Sequence, residues 1–381
     1  MKNGLSLYIH VPFCNSKCNY CSFVSEVRND ESKRRYTDAL LKEIKIQGEK
    51  YNGIFEIKTI FIGGGTPSSL PKGYIREIMS AVYKNFSVRS DAEITIELNP
   101  NSASKQKIYE YILAGVNRFS IGLQCTNGKV LESMGRTHTS ADFDDMIKNI
   151  RENGISNINA DIMLGYPGQT LEDVKETLAH LIELKLPHIS SYMLSVEPGT
   201  KLETMVDKGA VYLPSEKQVI NMYNTTVSML EKAGYERYEL SNFAKPGFAS
   251  KHNNVYWDRT DYLGVGVSSH SYVAGVRFSN TSSIDNYIEI IETQNKPPVS
   301  HAKKITKTEK REEAIMLSLR TMNGLNVEKF KEEFGENILT TKNAQLKNLV
   351  KLGMIIIDDD NNIKATDKGY LVLNRIILEL V

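Results

Sequence analysis

Short apolar runs return along the first half of the chain at a spacing that leaves room for one helix between each pair. Residues 5–11, 59–62, 94–98, 119–123, 158–163 and 189–194 each read as a strand. The first is the clearest, with Leu5, Leu7, Ile9 and Val11 on one face and Ser6, Tyr8 and His10 on the other. A helical pattern through Tyr36, Ala39, Leu40 and Ile44 follows it. Six strands alternating with helices predict a parallel α/β sheet or barrel. Such folds form their ligand site at the C-terminal ends of the strands, so the polar residues there carry the functional reading.

Directly beyond the first strand stand Cys14, Cys18 and Cys21, in the spacing C-x3-C-x2-C; the fourth cysteine, Cys125, lies far along the chain. A secreted disulfide framework would be denser and more spread out, whereas three clustered thiols suggest metal ligation in a reducing compartment. Two metals fit the residues alone. Structural zinc takes four ligands, and Cys125 or His10 would have to complete the set. An iron–sulfur cluster held by three thiolates would leave one iron open for an exogenous ligand. The second motif is the turn Gly63-Gly64-Gly65-Thr66-Pro67. It lacks the Lys-Ser/Thr of a phosphate-binding loop, and Ser68 stands where a dinucleotide fingerprint needs glycine. A turn without side chains lets backbone carbonyls approach an ammonium group. Glu97, Gln124 and Asp161 lie at or near further strand ends, with Arg136 in the region after Gln124. Together they suit a polar, zwitterionic ligand.

The cysteine spacing, with the aromatic Tyr20 before the third thiol and a glycine turn one βα unit later, resembles the radical S-adenosylmethionine (SAM) superfamily. The likeness extends to a branch. Tyr8–Cys14, Phe61–Ser68, Ile121–Gln124, Asp161–Thr170 and Glu197–Thr200 resemble the HemN/HemW family over essentially the whole chain. The resemblance implies a partial (β/α)6 TIM-like barrel with a small C-terminal winged-helix-like α+β domain. It implies a [4Fe–4S] cluster on Cys14, Cys18 and Cys21, and SAM contacts from Tyr8, Tyr20, Gly64, Gly65, Thr66, Glu97, Gln124, Arg136 and Asp161. Two features separate its branches. The oxygen-independent coproporphyrinogen III oxidases resemble C-x3-C-x2-C-x-C, and here the last position is Phe23. His252-Asn253-Asn254-Val255-Tyr256-Trp257 matches the H-N-x-x-Y-W signature of the haem-chaperone branch, HemW. That branch implies haem binding and delivery to an acceptor protein, with an electron donor as a further partner and no coproporphyrinogen oxidase activity. His252 is the candidate haem ligand, with Tyr256 and Trp257 as apolar faces for the macrocycle. The oxidase itself and another radical-SAM enzyme, for instance one modifying RNA, are the alternatives.

The expected organisation is a core barrel over 1–235, a barrel extension carrying the signature over 236–293, a linker over 294–308 and a C-terminal domain over 309–381. The last combines helices with a hairpin, a combination also found in DNA-binding domains. Eleven Lys/Arg against twelve Asp/Glu give residues 309–381 a net charge of −1, which argues against a duplex partner. The whole chain, at +1, has no basic footprint for nucleic acid. No apolar run approaches the roughly 18 residues of a spanning helix. The stretch Leu5–Phe13 is broken by His10 and Pro12, with no cleavage site after it. The sequence therefore reads as a soluble, cytoplasmic protein.

Overall fold

In the computed structural model, which describes residues 3–381, the six expected strands form one parallel set. They are β1 (Asn3–Val11), β2 (Phe55–Gly64), β3 (Val88–Leu98), β4 (Arg118–Gln124), β5 (Ile158–Leu164) and β6 (His188–Met193). Each pairs with the next in order, and helices fill the crossovers. The alternation in β1 now has its cause. Leu5, Leu7, Ile9 and Val11 are buried in the main core with Tyr36, Ala39, Leu40 and Ile44 of helix α1 (Asp30–Tyr51). The other face of β1 points into the barrel, where the Thr59 hydroxyl donates to Ser6 Oγ at 2.7 Å. Asn29 caps α1 by accepting the Ser32 N–H at 2.9 Å.

The barrel does not close. Residues expected as an extension complete its two sides: Asn242–Ala244 pairs antiparallel with β6, and Tyr262–Val265 pairs parallel with β1. Further antiparallel strands bring the sheet to twelve. One of them corrects the expected linker. Val299–Lys304, inside 294–308, is a strand paired with Val276–Asn280, and a helix already begins at Lys307. All six of its residues are exposed, so it leaves no hydrophobic period to read; it is held by its backbone ladder to Val276–Asn280, with Ser300 donating to Ser279 O at 3.3 Å.

The C-terminal residues build a second core around Phe330, Leu346, Ile363 and Ile376, with a three-stranded sheet of Leu325–Asn326, Asn362–Ala365 and Ile355–Ile357. Leu240 packs against both cores. The Leu240 N–H donates to Arg320 O at 3.0 Å, and Arg259 reaches Glu333 through two bonds of 2.9 and 2.6 Å. No helix among the described residues is long and apolar enough to cross a membrane.

Candidate active site

The segment bearing the three thiols leaves β1 and returns to it. Phe13 bridges Glu26, and the Cys14 N–H donates to Glu26 O at 3.1 Å. Its middle is pinned from outside, by Asn19 N–H on Met134 O at 2.9 Å and Leu202 N–H on Asn19 O at 2.7 Å. The glycine turn is fastened to the same segment. Gly65 N–H donates to Val11 O at 2.8 Å, and Thr66 N–H to Phe13 O at 2.7 Å. The two motifs are thus one structure, with Cys14 Sγ 3.5 Å from Thr66 Oγ1.

Cys14, Cys18 and Cys21 are partly exposed and all border a cavity of about 440 Å³ at the C-terminal ends of the strands. Burial pushes the Cys21 thiol up, and the Arg136 guanidinium donates to Cys18 Sγ at 3.6 Å. Cys125 is not with them. It is buried with Leu131 and Tyr166, where it accepts from Thr177 Oγ1 at 3.7 Å. His10 is equally engaged, its Nδ1 with the Tyr8 hydroxyl at 3.0 Å and its Nε2 with Val24 O at 2.9 Å. Both candidates for a fourth zinc ligand are therefore committed elsewhere. Among the described residues no three such side chains close on a single ion. A four-iron cluster spreads its thiolates more widely than the 2.3 Å bonds to one zinc would. Three partly exposed thiols at an open cavity fit the cluster.

Tyr20, Gly64, Gly65, Thr66, Glu97, Gln124, Arg136 and Asp161 line this same cavity. Glu97 is fixed by accepting the Gly64 N–H at 3.1 Å, and burial, with Asp161 nearby, pushes its carboxyl up to about 8. Burial also raises Asp161, which accepts from Asn159 at 2.7 Å and from Ser120 at 3.3 Å. Gln124 ends β4 with φ +69°, a left-handed turn at the rim of the cavity. A ligand with hydroxyl, amino and carboxylate groups would meet a partner for each on these walls.

Two expected residues lie elsewhere. Tyr8 is not in the wall: its ring stands beside Phe61 and its hydroxyl is spent on His10. His252 is also placed differently from the expectation of an accessible haem ligand. Its side chain is buried, with 1% of the residue exposed; Nδ1 pairs with Thr59 Oγ1 at 2.8 Å and Nε2 with the Tyr256 hydroxyl at 3.1 Å. Burial, with Arg118 and Lys58 nearby, lowers it to about 3, so the ring is neutral. Neither nitrogen is free for a metal, and no face is open to a macrocycle. The helix Lys251–Trp257 is instead a wall of the barrel, seated by Glu93, which accepts the His252 N–H at 3.0 Å and the Lys251 N–H at 3.2 Å. Accordingly, His252→Ala is expected to lower stability by roughly 1–3 kcal/mol, because the Tyr256 hydroxyl loses its partner and Thr59 keeps only its bond to Ser6. The absorption spectrum of added haem is expected to stay at its wild-type position, as a titration would record.

Sequence reading missed Asn99, which donates to Thr66 Oγ1 at 3.0 Å and accepts from Arg136 at 3.1 Å, tying three elements together at the cavity. It also missed Arg118, Asn159 and Ser190 in the depth of the same cavity. They stand at alternate positions with Gly122, Asp161 and Tyr192, so the period of two that defined the strands held the signal.

Comparison with known proteins gives two family matches, the radical SAM superfamily over residues 8–181 and the HemN C-terminal domain over residues 305–372. The chain is 34% identical to the heme chaperone HemW of Lactococcus lactis, over 97% of this chain and 96% of that one. It is 35% identical to the heme chaperone HemW of Bacillus subtilis, over 97% of each. Among solved structures it resembles coproporphyrinogen III oxidase (HemN) from Escherichia coli, described as a radical SAM enzyme. That match has a TM-score of 0.87 and 25% identity, covering all of this chain and 90% of the other.

Proposed function

Because the chain belongs to the HemW family of radical SAM proteins, we propose that it is a haem chaperone, which takes up haem and hands it to an acceptor protein. The observation that carries this is identity of about one third with named haem chaperones from end to end, both domains included. The cavity supports the cofactors that go with it. Cys14, Cys18 and Cys21 would hold a [4Fe–4S] cluster, and the glycine turn, Glu97, Gln124, Arg136 and Asp161 would hold SAM. When bound, the cluster supplies a low-potential electron and one open iron. The chain's own residues do the holding. The Glu97 carboxyl keeps its proton at neutral pH while bonded to the glycine turn, and Arg136 bridges Cys18 to Asn99 across the cavity. An acceptor protein and an electron donor are the partners this reading requires. Its place is the cytoplasm, because the free thiols it depends on persist in a reducing compartment.

A haem titration of anaerobically reconstituted protein, followed by transfer to an apoprotein acceptor, tests the reading. Saturable binding of one haem and its appearance on the acceptor are expected; a wild-type protein that binds no haem would end it. The oxidase reading is favoured only by the fold shared with HemN, and a fold does not carry an activity. Phe23, at the position of the oxidase's extra cysteine, is 65% exposed at the mouth of the cavity. Incubation with coproporphyrinogen III, SAM and a low-potential reductant is therefore expected to leave the propionates intact. Multiple-turnover formation of protoporphyrinogen, measured by chromatography, would reverse that ranking.

A further inference from the structure

The cavity is larger in its chemistry than the SAM-holding residues account for. On its deeper side stands Arg118, whose residue is only 2% exposed. Its Nε–H has no partner, and its guanidinium makes no hydrogen bond or ion pair within the described residues. Glu97 and Asp161 share the cavity and feel its charge, yet neither is within ion-pair distance of it. Thr95, its direct neighbour across β3 and β4, also has a buried hydroxyl without a partner. Burying an unpaired guanidinium is costly, and native structures reserve such groups for a ligand, an ion or water. A second unpaired donor faces the same space. Asn253, from the signature helix, borders the cavity, and its side-chain amide bonds to nothing in the protein.

We propose that Arg118 and Asn253 form a carboxylate-binding subsite in the depth of the cavity, separate from the residues that hold SAM. The planar fork of an arginine matches a carboxylate in two bonds, and an amide N–H adds a third donor. This inference rests on the haem-chaperone reading, which puts a dicarboxylate ligand on the protein: the propionates of haem are the carboxylates to be read. A cavity of about 440 Å³ is in the range that takes one cofactor-sized ligand, and with SAM held there the haem ring stays at the mouth. There Phe23 and Tyr192, 65% and 42% exposed on the cavity rim, offer aromatic faces. Only a carboxylate arm goes inward. In this arrangement the signature motif serves haem through Asn253, while His252 beside it holds the helix in place against Thr59 and Phe61.

The test is a titration with haem and with haem dimethyl ester, whose carboxylates are masked, on wild type, Arg118→Gln and Asn253→Asp. Wild type is expected to prefer the free acid by tenfold or more, and both variants to lose most of that preference, with cluster iron content kept. Asn253→Asp changes a partly exposed side chain and decides the matter if Arg118→Gln fails to fold. Equal affinity of wild type for the two haems would overturn the subsite while leaving the chaperone reading intact. A preference kept in Asn253→Asp and in folded Arg118→Gln would overturn it likewise. No binding of either haem by wild type would fail the chaperone reading itself.

Discussion

Anaerobically purified protein is expected to carry about four irons and four sulfides per chain, and to lose them entirely when Cys14, Cys18 and Cys21 are replaced by Ala. The three thiols border one cavity on a single segment, and no other thiol lines that cavity. Cys125→Ala is expected to leave the iron content unchanged, since Cys125 is buried with Leu131 and Tyr166 and bonded to Thr177. The triple variant should still fold, because its thiols are partly exposed and belong to neither large core. Iron and sulfide analysis with circular dichroism on the same samples separates loss of the cluster from loss of the fold. A requirement for Cys125, or stoichiometric zinc in place of iron, would contradict the assignment.

The second large effect is expected at the glycine turn. A Cβ at Gly65 would stand 2.7 Å from Phe13 O and 2.9 Å from Phe13 N, both backbone atoms that cannot step aside. Gly65→Ala must therefore push the turn away from the segment that begins at Cys14. At Gly64 the backbone has φ +111°, which L side chains rarely adopt, and a Cβ would stand 2.5 Å from the His10 ring. That ring is tied at both nitrogens, to Tyr8 and to Val24, so it cannot swing clear without breaking bonds. Overpacking of this kind costs roughly 1–3 kcal/mol. If that cost falls on the ligand-binding conformation, either alanine variant should lose roughly five- to 140-fold in SAM affinity by calorimetry, since each 1.4 kcal/mol is a factor of ten. Wild-type SAM affinity in both would place the ligand elsewhere.

Much of this was legible before the structure, and the parts that were not share a cause. Strands β1 to β6 were readable because one face of each is apolar at a period of two, and the thiols and glycine turn because their spacing is contiguous. The glycine turn reads from the sequence as a close approach for a ligand's ammonium group, whereas at Gly64 the nearest obstacle to a Cβ is His10, more than fifty residues earlier in the chain. His252 looked like a ligand in isolation; only the fold brings Thr59 and Tyr256 to its two nitrogens. Asn99 was overlooked for the same reason, since its partners Thr66 and Arg136 are more than thirty residues away on either side. What a polar side chain does depends on partners that sequence distance hides, while an apolar face announces itself locally.

An open sheet of twelve strands has two ends, and each end is a row of unused backbone donors and acceptors that can template another copy of the chain. One end here is Glu236–Arg237, too short to template anything. The other is Val299–Lys304, long enough to recruit a strand, and it is studded with His301, Lys303 and Lys304, all exposed. Desolvating two ammonium groups to dock a second sheet against them is unfavourable, so this rim resists fibre-like growth. The same polarity that hid the strand from its hydrophobic pattern thus protects a protein with an aromatic cavity mouth from polymerising along its own sheet.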